Sequence, residues 1–255
     1  MKKTLLFLFL SVSVCFAAEI GRFDSVSQNY LVNTGSFTCT FLQGCMFPTE
    51  ITLADGTSLG AIIFRDAVTG SDKKVYTLLD ERWADTKIIR NDDREFVIER
   101  IGAFMRNVSP LITQLEGVKI TCRYTFRKNS NRIGIKFIYR KEAGVSCRIN
   151  SSINPAWYYS CPFDSIIYKG KTSPFQVQAG KKLRFWDSVQ PVTLKGKKVF
   201  FRLTGSRVIA RLLPGDIYPC VLNGGFWQYD WKEGTLLERD AVMEFGSVRN
   251  GTLQE

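Results

Sequence analysis

The feature that most constrains the fold of this chain is a strict alternation of apolar and polar residues along residues 119–128. Four apolar side chains fall on one face of that segment: Ile120, Cys122, Tyr124 and Phe126. Residues 129–131, Asn-Ser-Asn, form a turn, and the alternation resumes at Ile133, Ile135, Phe137 and Tyr139. A period of two is typical of a strand with one buried face, so the sequence predicts a β-hairpin here.

Strand-like runs recur along the rest of the chain. The dipeptide at 55–56, Asp-Gly, is a strong hairpin signal. Other strand candidates lie at 37–42, 51–53, 59–64, 74–79, 86–89, 95–100, 165–168, 183–186, 193–194, 199–203 and 207–213. Helical turns are expected only at 78–84 and 110–115. Many short strands joined by polar turns predict an all-β antiparallel sandwich, of ordinary size or a large supersandwich.

The N-terminus has the three parts of a signal peptide. Lys2 and Lys3 precede an apolar run at 4–16, and small residues follow at 17–18. A membrane anchor is the alternative, but the run is shorter than the roughly 20 residues of a spanning helix. We therefore predict cleavage after residue 17, a secreted or periplasmic protein and no transmembrane anchor. Residues 18–255 are predicted to form one sandwich domain, with 106–117 as a possible point of subdivision.

Six cysteines remain after cleavage: Cys39, Cys45, Cys122, Cys147, Cys161 and Cys220. An exported chain with an even number of cysteines is expected to form disulfides, and Cys39–Cys45 is the local candidate. Buried free thiols are the alternative. The chain has no CxxC pair and no histidine, so neither a metal site nor another cofactor is predicted.

The absence of histidine also restricts catalysis. It excludes Ser-His-Asp and Cys-His mechanisms and imidazole acid–base chemistry. A Gly-x-Ser-x-Gly match at 56–60 lies in the expected hairpin turn and lacks a histidine partner, so we interpret it as turn composition. Carboxylates near aromatic residues are the remaining candidates for glycoside hydrolysis: Asp187, Asp230, Glu233 and Glu238.

The most unusual local sequence is the aromatic stretch at 226–231, Phe-Trp-Gln-Tyr-Asp-Trp. In a regular strand Trp227, Tyr229 and Trp231 share one face, and such a row of rings can stack on sugars. Trp186 and the adjacent Asp187 form a second candidate. The alternative is core packing, which is the usual place of large aromatic side chains.

The chain is basic, with a net charge of +11 that becomes +9 without residues 1–17 and their two lysines. Lysines between 169 and 198 fall in expected turns, where they would favour an acidic glycan or simply protect strand edges. No nucleic-acid-binding motif is present.

These features are similar, as a class, to those of carbohydrate-binding and carbohydrate-processing sandwiches. The sequence thus predicts an exported, non-catalytic, carbohydrate-binding protein whose partner is a glycan or cell-envelope polymer. The alternatives are a structural or assembly module of the envelope, and a carboxylate-dependent glycosidase-like enzyme or a fragment of one.

Overall fold

A computed structural model describes residues 19–79, 81, 83–177 and 182–254. The predicted signal peptide, residues 1–17, lies outside the described residues. The described chain consists of strands, turns and loops without a helix, and so contains no helix that could cross a membrane. The predicted helical turns are wrong: residues 111–114 form a strand, and the described part of 78–84 is turn and bridge.

The strands follow one another along the described residues as β1 (Gly21–Asp24), β2 (Asn29–Asn33), β3 (Phe37–Phe41), β4 (Thr49–Leu53), β5 (Ile62–Phe64), β6 (Ala67–Thr69), β7 (Val75–Thr77), β8 (Asp85–Asn91), β9 (Glu95–Gly102), β10 (Met105–Val108), β11 (Leu111–Gln114), β12 (Val118–Arg127), β13 (Arg132–Lys141), β14 (Cys147–Ser151), β15 (Pro155–Trp157), β16 (Ser165–Tyr168), β17 (Lys171–Pro174), β18 (Arg184–Ser188), β19 (Val192–Lys195), β20 (Val199–Gly205), β21 (Val208–Leu212), β22 (Cys220–Asn223), β23 (Trp227–Trp231), β24 (Leu236–Arg249) and β25 (Thr252–Leu253).

These strands form four antiparallel sheets. The largest has the order β17-β16-β19-β20-β24-β13-β12-β9-β8, with β25 paired to β24. The others have the orders β1-β2-β3-β4, β11-β10-β7-β6-β14-β23 and β18-β21-β22-β15-β5. The predicted all-β antiparallel sandwich is therefore confirmed.

The predicted hairpin at 119–139 forms the centre of the largest sheet as β12 and β13. Their register runs from Val118 opposite Lys141 to Phe126 opposite Ile133. The apolar face is buried, with Tyr124 and Phe126 fully inaccessible to solvent. Burying each such side chain contributes roughly 1.5–3 kcal/mol, so a one-residue slip in register would be strongly disfavoured.

The second layer packs on this buried face through aromatic rings from all three smaller sheets or their connections. The ring pairs, with centroid separations, are Phe41–Tyr124 at 5.1 Å, Phe64–Phe137 at 6.0 Å, Trp157–Phe201 at 4.9 Å and Tyr139–Phe226 at 6.0 Å. The core consequently extends across the central strands of the largest sheet, while its edge strands β8 and β17 are mostly exposed.

The five-stranded and six-stranded sheets are joined along a line that we call the crease. Strands β22, β15 and β5 are neighbours in one sheet, and β23, β14 and β6 are neighbours in the same order in the other. The chain passes between the two sheets at 65–66, 152–154 and 224–226. The three passages therefore lie side by side and bend the second layer.

The predicted hairpin around residues 55–56 is correct about the turn but wrong about the partner strand. At 53–59 the turn forms, since the Leu53 N–H donates to Thr57 O and the Leu59 N–H to Ile51 O. Strand β5, however, pairs with β15 rather than β4. The strand candidates at 193–194 and 199–203 form the antiparallel pair β19–β20, and the candidate at 207–213 contains β21, which joins β18 and β22 in another sheet. The possible subdivision at 106–117 falls on the hairpin of β10 and β11.

The predicted Cys39–Cys45 disulfide is not formed in the structure. The six cysteines in the described part of the chain form no disulfide with one another. Cys39 packs inside the hydrophobic core on β3, whereas Cys45 lies in the following loop and is only half-buried. Sequence proximity did not bring the two sulfur atoms together because the strand directs one of them inward.

Candidate functional site

An open, polar cleft lies over the crease. Its volume of about 490 Å³ falls within the roughly 300–1,000 Å³ of small-ligand sites. Its lining combines three arginines, three amides and one indole: Arg65, Arg148, Arg211, Asn150, Asn154, Gln228 and Trp227. No carboxylate belongs to this lining among the described residues.

Buried polar side chains stabilise the crease next to the cleft, because backbone groups lose their ladder partners where strands bend. Ser152 and Asn223 are fully buried in the crease. The Ser152 hydroxyl accepts from the Phe226 N–H at 2.7 Å, and Asn223 Nδ2 donates to the carbonyls of Ser152 and Phe226 at 3.1 and 3.0 Å. These bonds satisfy backbone groups that would otherwise be buried without partners.

Asn154 lies in the crease and also lines the cleft. Its Nδ2 donates to Arg65 O at 2.9 Å, while its Oδ1 accepts from the Arg211 guanidinium at 3.3 Å. The Asn154 side chain is 1% exposed, so its orientation is set by the crease. One buried amide therefore holds the backbone of one cleft arginine and the side chain of another.

Arg211 is the most constrained cation of the cleft. Its guanidinium carbon lies 4.5 Å from the centre of the Trp227 ring, a cation–π contact. Burial, together with the charge of Arg65, lowers the pKa of Arg211 to about 10. Its Nε has no hydrogen-bond partner among the described residues. Arg211 thus remains charged near neutral pH, while one of its N–H donors has no acceptor in the part of the chain that the structure describes.

The other two arginines make longer ionic contacts. Arg65 lies 4.5 Å from the Tyr218 ring centre and 3.7 Å from Asp216. Arg148 lies 3.7 Å from Asp230, and donates to the Gln228 amide oxygen at 3.4 Å. Ion pairs of this length and exposure contribute little, so both guanidinium groups retain donors for a ligand.

Asp66 lies under the cleft within the crease and is fully buried. Burial raises the pKa of Asp66 to about 8, although hydrogen bonds from nearby backbone groups favour the charged form. The Asn154 N–H is 3.4 Å from Oδ2, while Oδ1 has no partner in the described chain. Asp66 is consequently a buried carboxyl that is mainly protonated at neutral pH.

The predicted aromatic row on β23 is only partly correct. Trp227 is half-buried and lines the cleft. Tyr229 is exposed and packs on Phe226, with ring centres 4.9 Å apart. Trp231 is fully buried, with Lys141 Nζ 5.0 Å from its ring centre.

The three rings do not form a common platform because the strand is irregular. Gln228 has a φ of +49°, outside the extended region, and interrupts the alternation between Trp227 and Tyr229. The pairing of β14 with β6 also shifts register between Ile149 and Ser151. A sugar could therefore contact Trp227 in the cleft without contacting Trp231.

The second predicted candidate also lies away from the cleft. Trp186 is buried on β18 and packs against Phe175, with ring centres 4.9 Å apart. Asp187 is exposed and forms an ion pair with Arg207, whose hydrogen bonds lower the pKa of Asp187. The predicted use of Trp186 as a sugar-stacking surface is therefore wrong, because its ring belongs to the core.

Sequence analysis missed the arginines and amides of the cleft. They come from passages and strands far apart in the chain, near 65, 148–154, 211 and 228. One local signal was present: Arg211 is a charged residue within the otherwise apolar run Val208–Leu212. Among the described residues, no group of three or more acidic or cysteine side chains is placed to hold a metal ion.

No protein-family model matches the chain, and no curated protein matches it. Several solved structures share the fold. A GH36 α-galactosidase, AgaB, from Geobacillus stearothermophilus is 9% identical, with a TM-score of 0.58 over 89% of this chain and 41% of its own.

An α-mannosidase from Enterococcus faecalis V583 is 8% identical, with a TM-score of 0.62 over 90% of this chain and 30% of its own. The galactosidase domain of the α-galactosidase-sucrose kinase AgaSK is also 8% identical, with a TM-score of 0.58 over 89% of this chain and 42% of its own. This chain therefore spans less than half the length of these structures, and the likeness is one of fold.

Proposed function

We propose that this protein binds carbohydrate in the cleft over the crease. The observation that carries the proposal is the half-buried Trp227 ring beside two amide side chains, Asn150 and Gln228, in one concavity. An indole offers an apolar surface to a sugar ring, and amides donate to and accept from sugar hydroxyls. The fold it shares with parts of α-galactosidases and an α-mannosidase supports the same class of ligand.

Binding is favoured over hydrolysis by the composition of the cleft. Glycoside hydrolysis canonically uses two carboxyl groups flanking the scissile bond. Asp216 and Asp230 accompany arginines at the rim, and Asp66 is fully buried beneath the cleft. The proposal is accordingly a non-catalytic sugar-binding domain.

Export forms part of the proposal. It rests on the signal-peptide pattern at residues 1–17. Expression of the full chain followed by intact-mass measurement of the extracytoplasmic protein is the test. A mature chain beginning at residue 18 or 19 is expected, and a secreted chain that still begins at Met1 would contradict it.

Trp227→Ala and its neighbour Tyr229→Ala form a matched pair for testing the site. Both residues are aromatic and lie on β23, but only Trp227 lines the cleft. A glycan array identifies ligands of the parent protein, and calorimetry then measures each variant. We expect Trp227→Ala to lose binding and Tyr229→Ala to keep it. Equal losses, or no glycan bound by the folded parent, would refute the proposed site.

A further inference from the structure

The cleft carries an excess of positive charge that its own residues do not neutralise. Three guanidinium groups line it, from Arg65, Arg148 and Arg211. Two rim carboxylates, Asp216 and Asp230, lie near Arg65 and Arg148, but each is 3.7 Å from the nearest guanidinium nitrogen. That separation exceeds the 2.7–2.9 Å typical of a charge-assisted hydrogen bond. Some N–H donors of these arginines therefore remain available to a ligand.

Arg211 has no ion-pair partner among the contacts of the described chain. Its neighbours are an amide oxygen, an aromatic face, the like charge of Arg65 and, with a smaller effect, the opposite charge of Asp216. Asn154 and Trp227 hold the guanidinium in place despite that repulsion. An anion entering the cleft would offset the remaining repulsion by attracting both guanidinium groups and would supply acceptors, at a small cost in side-chain ordering because Arg211 is already fixed.

We infer that the cleft recognises an acidic sugar, whose carboxylate or sulfate group is bound by Arg211 and Arg65. This inference rests on the proposed carbohydrate function and specifies its ligand class. The planar donor fork of arginine matches the geometry of a carboxylate or sulfate better than that of a neutral hydroxyl. Trp227 contacts the sugar ring, while Asn150 and Gln228 bind its hydroxyls.

An exposed aromatic surface continues from the cleft beyond Arg65. The Tyr218 ring lies under that guanidinium, and the Tyr158 ring centre is 5.5 Å from Tyr218. Tyr159 follows, with its ring centre 4.0 Å from that of Tyr158 and 69% of the residue exposed. A row of this kind can contact further sugar units. The ligand is therefore an acidic oligosaccharide longer than one unit.

Two pairs of probes distinguish recognition of a carboxylate from recognition of a sulfate. The carboxylate pair is tetragalacturonic acid and its methyl ester; the sulfate pair is a κ-carrageenan tetrasaccharide and its desulfated form. Calorimetry at an ionic strength of about 0.15 M limits contributions from distant surface charges. At least one acidic probe is expected to bind about tenfold more tightly than its neutral counterpart, as a charge-assisted contact implies.

Arg211→Gln and Arg65→Gln test whether these two arginines bind the acidic group of the sugar. Arg127→Gln is the matched control. Arg127 is also an arginine on a sheet, but it is 72% exposed, pairs with Glu95 and lies outside the cleft lining. Each cleft variant should weaken the acidic probe about tenfold while leaving its neutral counterpart nearly unchanged. Arg127→Gln should change neither. Two cleft variants are used so that loss of folding in one leaves the other informative.

The other outcomes distinguish a failure of the inference from a failure of the proposed function. Equal binding of acidic and neutral probes, sensitive to Trp227→Ala, overturns the acidic specificity and leaves the proposed function intact. Acidic binding that survives both cleft variants overturns the inference and places the attraction on the general basic surface. A folded protein that binds no glycan overturns the proposed function and the inference with it.

Discussion

Replacing Asp66 with asparagine should remove a pH dependence of stability that the crease creates. Asp66 is fully buried, and burial raises its pKa to about 8 from the ordinary 3.8. Between those values the folded state holds a proton that the unfolded chain has released. Stability from this group is therefore complete below about pH 4 and is lost as the pH rises through about 8.

The size of this change in unfolding free energy follows from the difference in bound protons between the folded and unfolded states. One proton corresponds to about 1.4 kcal/mol per pH unit, so the free energy of unfolding should fall by about 2.7 kcal/mol between pH 5 and pH 7. The side-chain amide of the Asp66→Asn variant does not titrate, and its oxygen can accept the same backbone hydrogen bonds. The variant should lack this decline and be the more stable protein at pH 7.

Urea denaturation of both proteins at pH 5, 6 and 7 measures the effect. Asp187→Asn is the matched control, since Arg207 lowers the pKa of Asp187 and so places its titration below this pH range. The control should follow the parent across the range. Parallel curves for the parent and Asp66→Asn would refute the reasoning, because they would mean that the buried carboxyl is not protonated in the folded state.

Three further changes test the packing and the thiols. Trp231→Ala should cost about 3–5 kcal/mol of unfolding free energy, and the half-buried Trp227→Ala clearly less; equal costs in urea denaturation would contradict the burial pattern. The thiol of Cys220 lowers the pKa of half-buried Cys161. Mass-spectrometric mapping should therefore find that iodoacetamide at pH 8 alkylates Cys161 before Cys220, whose pKa burial raises. The Cys220→Ala variant should slow the alkylation of Cys161. Gly225→Ala should destabilise the crease by about 1–3 kcal/mol, because a Cβ there would overlap a buried serine hydroxyl; an unchanged melting temperature would argue against that contact.

The predictions that depended on local pattern were the reliable ones. Alternation along 119–139 was sufficient to predict β12, β13 and their buried face, because a period of two is a property of the extended backbone itself. The turn at 53–59 also followed from local composition. The sequence by itself therefore determined the all-β class and the central hairpin.

The cleft and the burial of individual rings depended on tertiary structure. Trp227 and Trp231 are four residues apart on one strand, yet only the first reaches the cleft, since Gln228 interrupts the pleat and the core covers the second. Cys39 and Cys45 are close in sequence but form no disulfide with each other. Arg65 and Arg211 line one cleft because three passages between two sheets coincide at the crease. That coincidence is a property of non-local strand pairing, which no local periodicity encodes.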